Sequence, residues 1–310
     1  MKKIAYLISA ISAGLFSSAA NADISVSGSG SFAYVDAGGN TTSILGGGVS
    51  FGLSTTTDAG VTISAASGVS MDNDSVANTS GSTGVTALTF GFSNGSITVG
   101  DDVGVADGVG KVGELVSWAD TNQTSITNAV GIGDDEGSGI AASTSIGDMS
   151  LSVQYVWDGA DAGDVDGAAT TSQGASLSMP IGAGSLTIAS ASDDLSGVNM
   201  TETGAAYTMP VGGGTISLGF TGTSGDTTTK EGEAFSAAYS TTMGGVSIGL
   251  GYTGHDANSK TAQQTDITLS TSLGGGASLW AEYSNRSGTT EAESSTLSQS
   301  VVAVGTSVSF

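Results

Sequence analysis

The chain has 310 residues, of which 50 are glycine, 2 are proline and none is cysteine, so small side chains dominate. Twenty-nine acids against six bases give a net charge of −23, which excludes the basic footprint of a nucleic-acid binder and of a polybasic membrane-surface protein. The lack of cysteine excludes disulfide frameworks, thiolate zinc sites and thiol nucleophiles together, and a single histidine, His255, excludes most histidine metal clusters.

In chain order, the first element is a leader. Lys2 and Lys3 precede an apolar run, Ile4 to Phe16, which ends in Ala20-Asn21-Ala22. This is the charged, apolar and small-residue succession of a secretory signal peptide, and the run is short for a helix that must span with about 20 apolar residues. Residues 1–22 are therefore read as a signal peptide and residues 23–310 as one mature domain, in which only Lys111, Lys230, Lys260 and Arg286 offset the 29 acids. No later apolar run approaches that length, although mean hydropathy is +0.16. An exported chain of this kind can meet a membrane again only as a closed β-barrel.

Beyond the leader the period is two. Leu88, Phe90 and Phe92 alternate with Thr89 and Gly91, and Met149, Leu151, Val153 and Tyr155 with Ser150, Ser152 and Gln154. Ile216, Leu218 and Phe220, then Val246, Ile248, Leu250 and Tyr252, and finally Val302, Val304, Val308 and Phe310 repeat the pattern. Each such segment is a strand with one apolar and one small or polar face, and glycine at this density would melt helices. Tight turns are expected at 58–60, 94–95, 147–148, 181–184, 211–214, 243–245 and 274–276, because Gly, Asn or Asp supplies the positive φ that hairpins need. Longer polar stretches fall at about 36–42, 72–83, 101–138, 158–172, 192–199, 224–232, 254–263 and 287–296. Short and long connections alternate, which gives sixteen strands with every long connection at one end. That asymmetry suits an outer-membrane barrel, whose periplasmic turns are short and whose outer loops are long.

The acids test the placement. Glu202, Asp266 and Glu282 fall inside strands, out of phase with the apolar positions, and so on the face that would line a lumen; Arg286 belongs to the same wall. A carboxylate on the other face would meet lipid at considerable cost. The aromatic residues, among them Phe32, Tyr34, Phe92, Trp157 and Tyr252, fall near strand ends, as interfacial girdles do.

The start Asp23-Ile24-Ser25-Val26-Ser27-Gly28, the segments Phe51 to Met71 and Leu88 to Asp102, the run Gly274-Gly275-Gly276 before a last alternating strand, and the terminal Phe310 resemble a Gram-negative general diffusion porin, most closely the trimeric alphaproteobacterial type. The resemblance implies a sixteen-stranded antiparallel transmembrane β-barrel, a homotrimer in outer-membrane lipid, and a long third loop folded into the channel. It further implies that Phe310 is a signal read by the barrel-assembly machinery. The segment 101–138 matches the third loop, and a loop this long is normally functional. Its acids, Asp101, Asp102, Asp107, Glu114, Asp120, Asp134, Asp135 and Glu136, either face the constriction or form a plain solvated loop. Such porins usually set an arginine cluster against the third loop; here four bases, three of them in expected loops, cannot form one. Cation preference follows as an expectation.

Other motifs have plainer readings. Asp158, Asp161, Asp164 and Asp166 suit a hard cation but fit neither the EF-hand spacing nor a calcium β-roll repeat, so a solvated loop is expected, with weak divalent binding as the alternative. His255-Asp256 lacks a nucleophile elbow followed by a helix and is expected as a solvated outer-loop pair. The sequence thus reads as a non-enzymatic channel without a cofactor, for passive diffusion of small hydrophilic solutes and cations and with no nucleic-acid partner. A substrate-specific channel and a secreted acidic surface adhesin are the alternatives; the adhesin would need a repeat period, which is absent.

Overall fold

The computed structural model describes residues 22–72, 85–100, 103–105, 109–113, 115–116, 138–158, 171–195, 198–225, 231–257, 260–289 and 297–310. All regular structure among them is strand. The strands are β1 (Ala22–Ala37), β2 (Asn40–Thr56), β3 (Thr62–Asp72), β4 (Val85–Phe92), β5 (Gly95–Gly100), β6 (Ser138–Ile146), β7 (Met149–Asp158) and β8 (Thr171–Ile181). They continue with β9 (Gly184–Leu195), β10 (Val198–Val211), β11 (Gly214–Gly225), β12 (Gly232–Met243), β13 (Val246–Ala257), β14 (Lys260–Gly274), β15 (Ala277–Gly288) and β16 (Leu297–Ser309). Every strand pairs with its sequence neighbours, and β1 pairs with β16 to close an antiparallel barrel.

Why these residues close rather than stack is visible in their exposure. On β11, Leu218 and Phe220 are each 40 % exposed, whereas Thr221 between Phe220 and Gly222 is 1 % exposed. Ile24, Phe51, Trp157, Phe235, Leu250, Tyr252 and Val304 are likewise exposed. Most large apolar side chains therefore point outward around the wall and most inward positions are small or polar, with Val35, Ile44, Val156 and Val301 among the buried exceptions; this is the reverse of a water-soluble sheet and the arrangement of a barrel in lipid. The seam is made along β1 and β16 from Ser29↔Ser309 to Ala37↔Val301. Beyond it, Gly28 and Phe310 exchange backbone hydrogen bonds of 3.0 Å in both directions, and a Cβ at Gly28 would overlap the Phe310 ring.

All seven expected tight turns join the strand pairs assigned to them, at one end of the barrel. Gly244 and Gly245 have φ of 59° and 84°, the two positive values of a type I′ hairpin turn, which matches the twist of the strands it joins. The other end differs from expectation. The stretches 36–42, 192–199 and 254–263, expected as long connections, shrink to 38–39, 196–197 and 258–259, because the strands run on through them. The register continues without a break, as in Ala37↔Asn40 and Ala257↔Lys260. Polar residues such as Asn40, Thr41 and Thr42 pair in a wall standing in water as well as apolar ones do in lipid, so polarity there marks the end of the hydrocarbon rather than the end of a strand. His255 and Lys260, expected in that loop, consequently lie in β13 and β14.

Outward and inward positions should respond differently to charge. Leu250→Arg, about midway up the lipid-facing side of β13, is expected to destabilise the barrel by about 2–4 kcal/mol, whereas Ser240→Arg, facing the lumen on β12, costs close to nothing. Denaturant unfolding in lipid vesicles measures both.

Candidate functional site

The described part of the long third connection, between residues 103 and 116, lies inside the barrel and follows its wall. Val103 packs on Ala141 of β6 and Val156 of β7, and the Val105 amide donates to Gln154 Oε1 on β7. Val109 packs on Ala189 and Ala191 of β9. The Ser236 hydroxyl of β12 donates to the Gly110 carbonyl at 2.5 Å and accepts from the Val112 amide at 3.1 Å. Further along, the Leu115 amide donates to Asp266 Oδ2 of β14 at 3.0 Å. Val116 then joins Ala33 and Val35 of β1, Ile44 of β2, and Val301 and Ala303 of β16 in one apolar cluster, against which Trp280 packs.

The segment is thus an inner belt, running from β7 past β9, β12 and β14 to β1. The wall makes room for it. A Cβ at Gly251 would strike the Gly113 carbonyl, one at Gly219 the Gly110 carbonyl, and one at Gly139 the Val103 side chain. Gly110 itself has φ of 99° and lies against the Phe220 carbonyl. Glycine within a strand commonly marks such a close backbone approach.

The expected site residues are distributed as follows. Asp266 is fully buried, and both its oxygens accept from Gln264 Nε2, at 3.0 and 2.9 Å; together with the Leu115 amide these contacts make it a strut for the belt. Glu202 on β10 is buried, as is Asp193 on β9. Glu202 pairs with Ala191 and Asp193 with Met200, so the two carboxylates are diagonal neighbours on the same inner face. Glu282 is partly buried and lies in register with Thr268 and Ala303. Arg286, 1 % exposed, lies on the same face of β15, between Gln264 and Gln299. Asp101, Asp102, Asp107, Glu114, Asp120, Asp134, Asp135 and Glu136 fall outside the described residues. So do Asp161, Asp164, Asp166 and the side chain of Asp158.

Two expectations are corrected. His255, expected as a solvated loop residue, is 4 % exposed on the inner face of β13, because β13 continues past it. Lys260 belongs to β14 and not to a loop. Gln154, Ser236 and Gln264 carry no motif and were not singled out by the sequence. The readable signal was the row of Ala141, Ala189, Ala191, Gly219 and Gly251 at mid-strand, with Gly139 near the start of β6, on a face that elsewhere carries hydroxyls.

A closed sixteen-stranded wall, apolar outside, with the described part of its longest connection belted inside, is the architecture of a channel-forming barrel, and residues 9–285 match the Gram-negative porin family. The chain belongs to that family. Its fold is similar to that of an anion-selective porin from Comamonas acidovorans, at TM-score 0.70 and 16 % identity over 94 % of this chain and 100 % of that one. A mutant of Rh. blastica porin aligns at TM-score 0.65 and 20 % identity over 93 % of this chain and 100 % of the other. A porin refined at 1.8 Å resolution aligns at 0.69 and 15 % over the same shares. No curated protein matches it significantly. As a Gram-negative porin the protein is an outer-membrane channel for small solutes and not an enzyme.

If Asp266 and its hydrogen bonds hold the belt against the wall, Asp266→Ala removes a charge-assisted contact of about 1.5–3 kcal/mol and frees the segment around Leu115. Single-channel recordings of this porin variant are expected to show frequent sub-conductance flicker, and liposome swelling with sugars of graded size an altered size limit.

Proposed function

We propose that this porin passes small hydrophilic solutes and ions passively, with a preference for cations, through a lumen narrowed by the inner belt. The observation that carries the charge preference is the balance of the mature chain: 29 acids against Lys111, Lys230, Lys260 and Arg286. Buried Glu202, Asp193 and Asp266 on the inner wall support the same sign, since carboxylates lining a pore lower the barrier for cations and raise it for anions. The anion-selective Comamonas acidovorans relative in fold shares only 16 % of its residues with this chain, so its preference does not carry over. The third-loop acids Asp101, Asp102, Asp107, Glu114, Asp120, Asp134, Asp135 and Glu136 add to the negative field in this reading. Asp158, Asp161, Asp164 and Asp166 are read as a solvated outer loop, with weak divalent-cation binding as the alternative.

The protein is further read as a homotrimer, delivered by a leader cleaved after Ala22 and assembled through recognition of Phe310. Membership of the porin family supports the trimer, and the small-residue end of the leader supports the cleavage.

Planar-bilayer recording of the purified protein tests the reading. Conductance that closes in three equal steps is expected, with a reversal potential of cation-selective sign in a potassium chloride gradient. A potential of the opposite sign sinks the charge argument. Independently, amino-terminal sequencing of the envelope protein is expected to begin at Asp23.

A further inference from the structure

The inner face is not uniform along the barrel axis. In the half nearest the short turns, every one of the sixteen strands turns serine or threonine inward. The hydroxyls pair with one another across neighbouring strands. Thr89 and Thr98 lie 3.0 Å apart, Ser96 and Ser143 2.9 Å, Thr208 and Ser217 3.0 Å, and Ser278 and Ser307 2.6 Å. Below the belt, β11 to β14 frame a recess of about 550 Å³ against Val112 and Leu115, lined by hydroxyls that include Thr215, Ser217, Ser240, Thr268 and Ser270 and, among the described residues, by no charged one.

The acids, the bases and His255 lie elsewhere. Among the described residues, Asp193, Glu202, His255, Lys260, Asp266, Glu282 and Arg286 all occupy inner-face positions at the level of the belt or beyond it, toward the end where the long connections are made. Among the described residues, Asp23, Asp58 and Asp148 are the only acids at the short-turn end, at a strand start and in two turns, and no base lies there. A hydroxyl wall can hydrate an ion of either sign, because a hydroxyl donates and accepts equally well, but it carries no net field.

We infer that charge discrimination in this channel is one-sided: ions are selected at the belt and in the outer half of the lumen, while the wall of the inner half is a hydroxyl-lined tube whose described carboxylates are confined to its rim. The inference rests on the reading above that ions cross this lumen. It is independent of which sign they prefer. Its physical consequence is an asymmetry in screening. The Debye length is about 10 Å at 0.1 M salt and about 3 Å at 1 M, so fixed charges near the outer mouth act fully only when that mouth faces the dilute solution.

The test is a tenfold potassium chloride gradient, 0.1 M against 1 M, imposed in both directions across oriented single channels. Because the chain has no cysteine, Asp148→Cys in an exposed turn can be biotinylated, and streptavidin added to one side then reports which mouth faces that side. The permeability ratio is expected to be about twofold or more higher when the dilute solution bathes the long-connection mouth. Equal ratios in the two directions, or a higher one with the dilute solution at the short-turn mouth, overturn the inference. An anion-selective sign together with a direction-dependent ratio would overturn the cation preference and leave the one-sidedness standing. In a second arm, Ser217→Asp with Ser240→Asp sets carboxylates into the hydroxyl-lined half. The direction dependence is expected to shrink, and an unchanged dependence in a channel of normal conductance would count against the inference.

Discussion

The structure depends on one constraint: inside hydrocarbon no backbone amide or carbonyl can be left without a partner. A sheet satisfies it only by closing, and closure here is made between β1 and β16. The last step of that seam is the mutual pairing of Gly28 and Phe310, where the missing side chain of one residue admits the ring of the other. Once the wall is closed, inside and outside are defined for all sixteen strands at once. The period-two pattern then decides which residues meet lipid and which meet water, and a one-residue slip of register at any pair would invert a whole strand.

This is why so much of the fold was legible in the sequence. Leu218 and Phe220 against Gly219 and Thr221, or Leu250 and Tyr252 against Gly251 and Thr253, announce both strand and facing, because a lipid-facing position tolerates little but apolar side chains. The seven short turns were legible for a second reason: a two-residue hairpin needs positive φ, and few residues besides Gly, Asn and Asp supply it. The outer connections were harder to read. Where the wall leaves the hydrocarbon both faces meet water, so alternation fades while pairing continues, and His255 and Lys260 were read as loop for that reason. Gly38-Gly39, with φ of 62° and 93°, is as clear a turn signal as Gly244-Gly245; surrounding polarity outweighed it.

The belt was legible only in outline. Its length and its place between β5 and β6 mark it as functional, but its course is set by contacts distant in sequence. Val109 meets Ala189, Gly110 meets Ser236, Leu115 meets Asp266, and no local pattern predicts such pairs. Asp266 shows the limit most clearly. Phase alone puts it on the lumen face, where a pore charge and a structural strut look alike. The hydrogen bonds distinguish the two. A carboxylate wholly removed from water carries a penalty of several kcal/mol unless its oxygens are occupied, and here Gln264 and the Leu115 amide occupy them. Its charge still contributes to the field of the lumen, but its hydrogen-bonding capacity is committed to the belt.

Glycine reconciles the two demands. Each glycine in a strand interior weakens that strand by removing a side chain that would pack, and a water-soluble sheet would lose stability at Gly139, Gly219 and Gly251. In this wall the inward side chain has no core to fill, so its loss costs little. What is gained is backbone contact between the belt and the wall, as at Gly113 against Gly251. The high glycine content and the inner belt are therefore two sides of one arrangement. A barrel with bulkier inward residues at the same height would hold its third loop away from the wall, and so farther into the path of the solutes it passes.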